Sequence, residues 1–346
     1  MNNMNSGKSG KEKSVKDVLT VAAIDCGTNS IKMIIADTDS SGNLFVRVPR
    51  IMRVVRLGQN VDVNRRFSCE ALNRTYEAVR EFAQIIEQHD VDIVSFVATS
   101  ATRDARNREE FEDEIEKILS VRPEVISGLK EAQLSFSGAV SVIDAEKESS
   151  HFPCLVIDLG GGSTEFVLGR RDSSGIKVDK AFSADMGSVR VTERYLHGNP
   201  ASAEEEKAAK DEINRWIDRA FEEVPVQEAK TIIGVSGTVA TLAAINRGMK
   251  EYDRSQLDGL TLGIGETIHT CTRVLNMTFE QRKELNIMGS RAALKSDFIE
   301  TIEFVRSGQA DLSKIISRRY DASEAEAAFN DLNENSGSIL KTVFKF

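Results

Sequence analysis

Two segments of this chain repeat one design: an apolar run, an aspartate, a turn rich in glycine and short polar residues, then a second apolar run. The first is Asp25-Cys26-Gly27-Thr28-Asn29-Ser30, between Val21–Ile24 and Ile31–Ala36. The second is Asp158-Leu159-Gly160-Gly161-Gly162-Ser163-Thr164-Glu165, between Cys154–Ile157 and Phe166–Leu168. Successive backbone N–H groups in such a turn form a concave nest for an anion. Glycine lets a phosphate approach the main chain, and Thr28, Asn29, Ser30, Ser163 and Thr164 add short donors. Asp25 and Asp158 are each placed to hold a hydrated Mg2+. An ordinary Gly-rich hairpin is the alternative for either turn alone. Two matched turns, with their aspartates 133 positions apart, favour a phosphate cleft built from two copies of one unit.

A third turn, in Thr231–Ile245, runs strand, loop, helix, and puts the amides of Gly237 and Thr238 at a helix start that favours an anion. Helix capping by Ser236 or Thr238 accounts for the same residues equally well. Gly263-Ile-Gly265 reads as a helix lead-in without a functional role.

Phosphoanhydride hydrolysis needs charge neutralisation, an aligned water and a proton acceptor. Glu165 closes the second turn, and strand alternation from Ser163 points it to the same side of the backbone. Glu131, in Ile126-Ser-Gly-Leu-Lys-Glu-Ala132, stands at a turn-to-helix junction between the two copies, where it is either a cleft residue or a first-turn glutamate facing a helix dipole. Arg103 leaves the carboxyl end of a buried strand, where α/β sheets collect ligands, and serves either to fork a phosphate or to form a salt bridge.

The elements that must position these residues follow from hydrophobic period. Ile31, Met33 and Ile35, and likewise Phe166 and Leu168, alternate at period two, so both turns open into strands. That excludes a Rossmann fingerprint or a P-loop, whose glycines lead into a helix. Further strands are expected over 45–57, 92–98 and 180–184, and helices over 68–89 (capped by Ser68), 106–119 and 203–223. The fold class is therefore α/β, with mixed strands and helices in two related domains.

Composition bounds the rest. Lys+Arg 45 against Asp+Glu 54 leaves a net charge of -9, which argues against nucleic acid or an anionic membrane as partner. Cys26, Cys69, Cys154 and Cys271 form no Cys-x-x-Cys pair, and His89, His151, His197 and His269 no His-x-x-x-His, so neither a disulfide framework nor a zinc site is expected. No stretch approaches the ~18 apolar residues of a membrane span, and the lysine-rich residues 1–17 lack the apolar core of a signal peptide. A cytoplasmic protein with a disordered 1–17 tail is the expectation; its oligomeric state is left open, a homodimer being one option.

Seven segments in order resemble the exopolyphosphatase and guanosine-pentaphosphate phosphohydrolase family of the sugar kinase, Hsp70 and actin superfamily: Ala22–Ser30, Val55-Arg-Leu-Gly58, Ala98–Asn107, Ile126–Ala132, Asp158–Glu165, Asp185-Met-Gly-Ser-Val-Arg190 and Gly234-Val-Ser-Gly-Thr238. The resemblance implies two actin-like (ribonuclease H-like) domains, 18–128 and 129–287, flanking a cleft, and Mg2+-assisted release of terminal phosphate from polyphosphate or guanosine pentaphosphate. It implies Glu131 as the residue that activates water, Glu165 as a second essential acid, Asp158 beside the metal, and Asn29, Arg103 and the glycine turns as phosphate binders. Where the family has a pair of glutamates before the alanine, this chain has Lys130-Glu131.

The resemblance stops near Ile287. Residues 288–346, with Gly308–Asp311, Ala325–Phe329 and Gly337–Lys341, look instead like the end of a medium-chain zinc alcohol dehydrogenase, without a nicotinamide-binding half, so no dehydrogenase activity follows. The rival reading from another class is a binder of alarmone or polyphosphate that regulates a partner without turnover; a sugar or acetate kinase is disfavoured because no phosphoryl acceptor site is evident.

Overall fold

A computed structural model describes residues 18–39, 44–140, 151–172, 175–250, 252–253, 256–285, 318–321 and 342–345. Contacts divide the chain into residues 1–291 and 292–346. The expectation for residues 1–17 lies outside the described residues, as does most of that for 288–346. In the second unit only β10 (Arg318–Asp321) and β11 (Thr342–Lys345) are described, and they pair in parallel.

The first unit holds two sheets of one topology. In the first half, β1 (Val18–Cys26), β2 (Ser30–Asp39), β3 (Leu44–Val54), β4 (Ile93–Ala98) and β5 (Glu124–Val125) lie in the order β3-β2-β1-β4-β5, with β1 antiparallel to β2 and parallel to β4. In the second, β6 (Cys154–Leu159), β7 (Thr164–Asp172), β8 (Gly175–Ala184) and β9 (Thr231–Val235) lie in the order β8-β7-β6-β9, with β6 antiparallel to β7 and parallel to β9. These are the paired ribonuclease H-like sheets of the actin-like architecture. Among the described residues the second sheet has no counterpart of β5, and Ile232 on its edge strand β9 is 66% exposed.

Helices between the strands close each core. In the first half α1 (Val61–Asn64), α2 (Cys69–Glu87), α3 (Ser100–Asp104) and α4 (Arg108–Leu119) follow in order. Ser68 caps α2 by accepting the Ala71 N–H at 3.2 Å. Apolar residues of α2 at helical spacing, Leu72, Val79 and Phe82, meet the inward row Ile31, Met33 and Ile35 of β2 in one cluster. Phe111 of α4 sits edge-on to Phe67 and Phe96. The second sheet is covered on both faces. On one, Phe136 and Val140 of α5 (Gly128–Val140) pack on Val156 and Val167. On the other, Leu155, Phe166 and Leu168 meet Trp216 and Ala220 of α7 (Ala203–Glu223). Between α5 and α7 in sequence lies α6 (Ser188–Tyr195), a helix that the hydrophobic pattern does not mark.

Strand β3 ends three residues before the expected Leu57. The N–H groups of Val55 and Arg56 leave the ladder to bond Asn29 O at 3.0 and 2.9 Å, and Gly58 N–H bonds Thr28 O at 2.8 Å. The Val-Arg-Leu-Gly segment thus occupies the carbonyls of the first glycine turn.

The halves meet along a polar seam. Asp62 of α1 is 9% exposed and receives Arg190 and Arg194 of α6. The Arg194 hydrogen bond, and then the charge of Arg190, hold the Asp62 carboxyl below the usual carboxylate range. A depressed folded pKa stabilises at neutral pH, and that contribution is lost as the pH falls through the ordinary carboxylate range toward the folded value. Urea midpoints should therefore decline as the pH drops below about 4, and Asp62→Asn should start lower and show a shallower acid slope; an unchanged slope would exclude Asp62 as a contributor. Gly187 abuts the second glycine turn, where a Cβ would fall 2.4 Å from the Gly161 carbonyl. Gly187→Ala should cost about 1–3 kcal/mol in chemical denaturation, and a neutral result would mean that the turn can shift to admit a methyl group.

Candidate active site

Both glycine turns close the same way. Gly27 N–H bonds Ser30 O at 3.0 Å, and Gly160 N–H bonds Ser163 O at 3.0 Å. In neither turn do the two central amides, of Thr28 and Asn29 or of Gly161 and Gly162, have a hydrogen-bond acceptor among the described residues. The turns touch tip to tip: a Cβ on Gly162 would fall 2.7 Å from Thr28 Oγ1 and 2.6 Å from Ser100 Oγ. The second turn therefore needs glycine to reach the first.

The start of α8 (Ser236–Asn246) completes this corner. Thr238 Oγ1 donates to Ser188 Oγ at 3.2 Å, and Ser188 Oγ to Gly160 O at 3.3 Å. Neither Ser236 nor Thr238 caps α8: the N-cap is Val235, without a side-chain cap, and Ser236 takes a left-handed φ of 82°. The helix start, with Gly237 and Thr238, thus adjoins the second turn with its amide dipoles uncapped.

Not every short hydroxyl is available to a ligand. Thr164 is buried and its hydroxyl donates to Met186 O, while buried Ser163 hydrogen-bonds Glu165. Thr28 is buried between the turns, whereas Asn29 is exposed. The donors expected from Ser163 and Thr164 are therefore committed inside the fold, Ser163 to the Glu165 carboxyl and Thr164 to a main-chain carbonyl.

The two copies differ in charge at the cross-strand pair that each aspartate makes. In the first, Asp25 faces Lys32 and pairs with its ammonium at 2.8 Å. In the second, the equivalent partner of Asp158 is Glu165, so two acids face each other. Ser135 Oγ donates to Asp158 Oδ2 at 2.5 Å, and Ser183 Oγ to Glu165 Oε1 at 2.8 Å. Glu165 is 1% exposed, and its carboxyl is pushed up to about 8 by burial first and then by the charge of Glu131, with Asp158 adding to it and the two serine hydrogen bonds opposing.

Glu131 reaches this corner from the first turn of α5, where Lys130 N–H bonds Ser127 Oγ at 3.2 Å. The helix can start close to β8 because Gly128 has no side chain: a Cβ there would lie 2.7 Å from Ser183 Oγ. Arg103 Nη1 donates to Glu131 Oε2 at 2.8 Å and to Ile126 O at 2.9 Å. The two readings left open for Arg103 and Glu131 thus resolve into a mutual ion pair at the cleft. Burial raises the Glu131 pKa against the pull of Arg103, with Asp158 and Asp25 adding to the rise. Arg103, Glu131, Asp158 and Glu165 therefore form one electrostatic group, to which Asp25, itself paired with Lys32, adds a weaker contribution through Glu131. Sequence reasoning gave no role to Ser135, Ser183 or Arg190; only Arg190 had a signal, as the last residue of the Asp185–Arg190 segment.

The Mg2+ implied by the resemblance can be tested against these donors. No cluster of three or more His, Cys, Asp or Glu ligands occurs among the described residues. Lys32 holds Asp25 and Arg103 holds Glu131, leaving Asp158 and Glu165 as hard oxygen donors on adjacent strands. Two carboxylates fit a magnesium ion that keeps most of its waters and shares a phosphate with its substrate.

Comparison with known proteins agrees with this geometry. Residues 34–295 match the model of the Ppx/GppA phosphatase family. The chain is 40% identical over 273 residues to exopolyphosphatase 2 of Mycobacterium tuberculosis, covering 77% of this chain and 82% of that protein. Among solved structures it superposes on an exopolyphosphatase-like protein with a TM-score of 0.73 at 50% identity, covering 78% of this chain and 82% of the other. On the Ppx/GppA enzyme of Aquifex aeolicus the TM-score is 0.62 at 28% identity, with 77% and 84% covered. With its twin glycine turns, its carboxylate corner and a family match over most of its length, this chain belongs to the Ppx/GppA phosphatase family.

Proposed function

We propose that the protein is an exopolyphosphatase that hydrolyses the terminal phosphoanhydride bond of inorganic polyphosphate with Mg2+. The observation that carries this reading is the Glu131–Arg103 pair, set beside Asp158 and Glu165 and below two facing amide turns. The amides of Thr28, Asn29, Gly161 and Gly162 and the uncapped start of α8 hold the non-bridging oxygens of the terminal phosphate. Arg103 keeps Glu131 in place through Nη1, and its other N–H groups turn to the phosphate. Glu131 takes a proton from the attacking water as its oxygen bonds to the terminal phosphorus; the bridging P–O bond breaks, and the shortened chain leaves with the electron pair. Asp158 and Glu165 would hold the magnesium ion, which supplies charge neutralisation when bound. We further place this activity in the cytoplasm; no helix among the described residues is long and apolar enough to cross a membrane.

Phosphate release from long-chain polyphosphate should occur with Mg2+ and fall to background with EDTA. Guanosine pentaphosphate presents the same terminal bond, but none of the residues named here recognises guanine, so it should compete weakly. Absence of release from folded protein with Mg2+ would overturn the reading, and stronger turnover of guanosine pentaphosphate would reassign the substrate.

A further inference from the structure

We propose that Arg190 is a positioning residue for this hydrolysis, holding the second glycine turn and the Arg103–Glu131 pair in one register across the seam between the halves. Its guanidinium makes four hydrogen bonds to three separate segments. Nε donates to Gly162 O at 2.7 Å, Nη1 to Asp62 Oδ1 at 2.5 Å, and Nη2 to Asp104 Oδ2 at 2.6 Å and to Ser100 Oγ at 3.3 Å. Gly162 lies three residues before Glu165, and Asp104 directly follows Arg103. One planar group thus fixes how far the carboxylates of the second half stand from the arginine that orients Glu131.

The rest of α6 supports this placement. Glu193 and Arg194, three and four positions on, share a helix face with Arg190. Glu193 accepts the Asn60 N–H at 3.1 and 3.2 Å, and Arg194 Nη2 donates to Asp62 Oδ1 at 2.7 Å. Arg65 adds a contact to Asp104 at 3.3 Å. Arg65, Arg190 and Arg194 therefore meet Asp62 and Asp104, and Arg194 also lies 3.8 Å from Glu212, so the cluster carries little net charge. Arg190 is buried, with 7% side-chain exposure. Replacing a buried ion cluster with apolar residues often costs no stability, so its presence is better explained by the geometry it enforces. Lysine cannot reproduce that geometry, because a single ammonium does not present a rigid fork to a carbonyl and two carboxylates at once.

The inference rests on the functional reading above, and the experiment separates the two. Phosphate release from long-chain polyphosphate would be followed for wild type, Arg190→Lys, Asp104→Asn, Arg103→Lys and the double variant Arg190→Lys/Arg103→Lys. Thermal melting and circular dichroism would fix the folded fraction, and kcat and KM would be read separately. Misplacement of the reacting groups by about 1 Å should lower kcat of Arg190→Lys roughly 100-fold while KM stays within about threefold. Asp104→Asn, which leaves the Arg190–Asp62 pair intact and so tests the proposal even where Arg190→Lys fails to fold, should lose about tenfold in kcat by the same effect. The double variant should be little worse than its worse single, because Arg190 acts through Arg103. Full kcat per folded Arg190→Lys or Asp104→Asn, or losses that multiply in the double variant, would overturn the proposal. A wild type that releases no phosphate would overturn the functional reading and this proposal with it.

Discussion

The crowding of Glu131, Asp158 and Glu165 at one corner, with Glu165 fully buried and the other two partly buried, is the constraint around which the rest of the structure is arranged. Burying one uncompensated carboxylate is costly, and more so beside two others, unless it finds a donor or a proton. The structure supplies donors to each: Arg103 to Glu131, Ser135 to Asp158, and Ser183 and Ser163 to Glu165. Burial first, and then the charges of Glu131 and Asp158, outweigh these donors at Glu165 and push its carboxyl up to about 8. In the first repeat the same strand position is Lys32, a built-in cation, and there the charge is settled within the pair. At this strand position the duplicated hairpin thus holds a charge-paired couple in one copy and two facing acids in the other. That asymmetry is the physical argument for placing Mg2+ and the chemistry in the second half.

Glycine makes the corner possible. The second turn can stand against Thr28 and Ser100 only because Gly161 and Gly162 lack side chains, and α6 can stand against that turn only because Gly187 does. Each contact brings main-chain amides toward the place where phosphate oxygens would sit. The ion cluster of Arg190, Arg194, Asp62 and Asp104 then locks the halves in register. Side chains with rigid geometry hold the seam, while flexible donors such as Asn29 face the opening.

Much of this arrangement was legible in the sequence, for identifiable reasons. The duplication showed because the central strands of each half are buried, which leaves an aspartate and a polar turn as clear interruptions of apolar runs. Helices α2 and α7 showed because each has Ser at its N-cap and an apolar stripe at helical spacing. The roles of Arg103 and Glu131 stayed divided between site and surface because their ion pair spans 28 positions and forms only once Gly128 lets α5 approach β8. The internal commitment of Ser163 and Thr164 was missed because short hydroxyls serve as phosphate donors or as internal bonds with equal ease. Helix α6 was missed because it buries arginine, which hydrophobic period does not report.

The account stands or falls on Glu131 as the proton acceptor. The decisive measurement is single-turnover release of terminal phosphate from polyphosphate at saturating Mg2+, comparing wild type with Glu131→Gln, which preserves size and can still accept a hydrogen bond from Arg103. Loss of general-base catalysis predicts a rate lower by about 10²–10⁴-fold with polyphosphate binding retained. A glutamine variant that releases phosphate at the wild-type rate would contradict the account and move the proton acceptor elsewhere in the cleft.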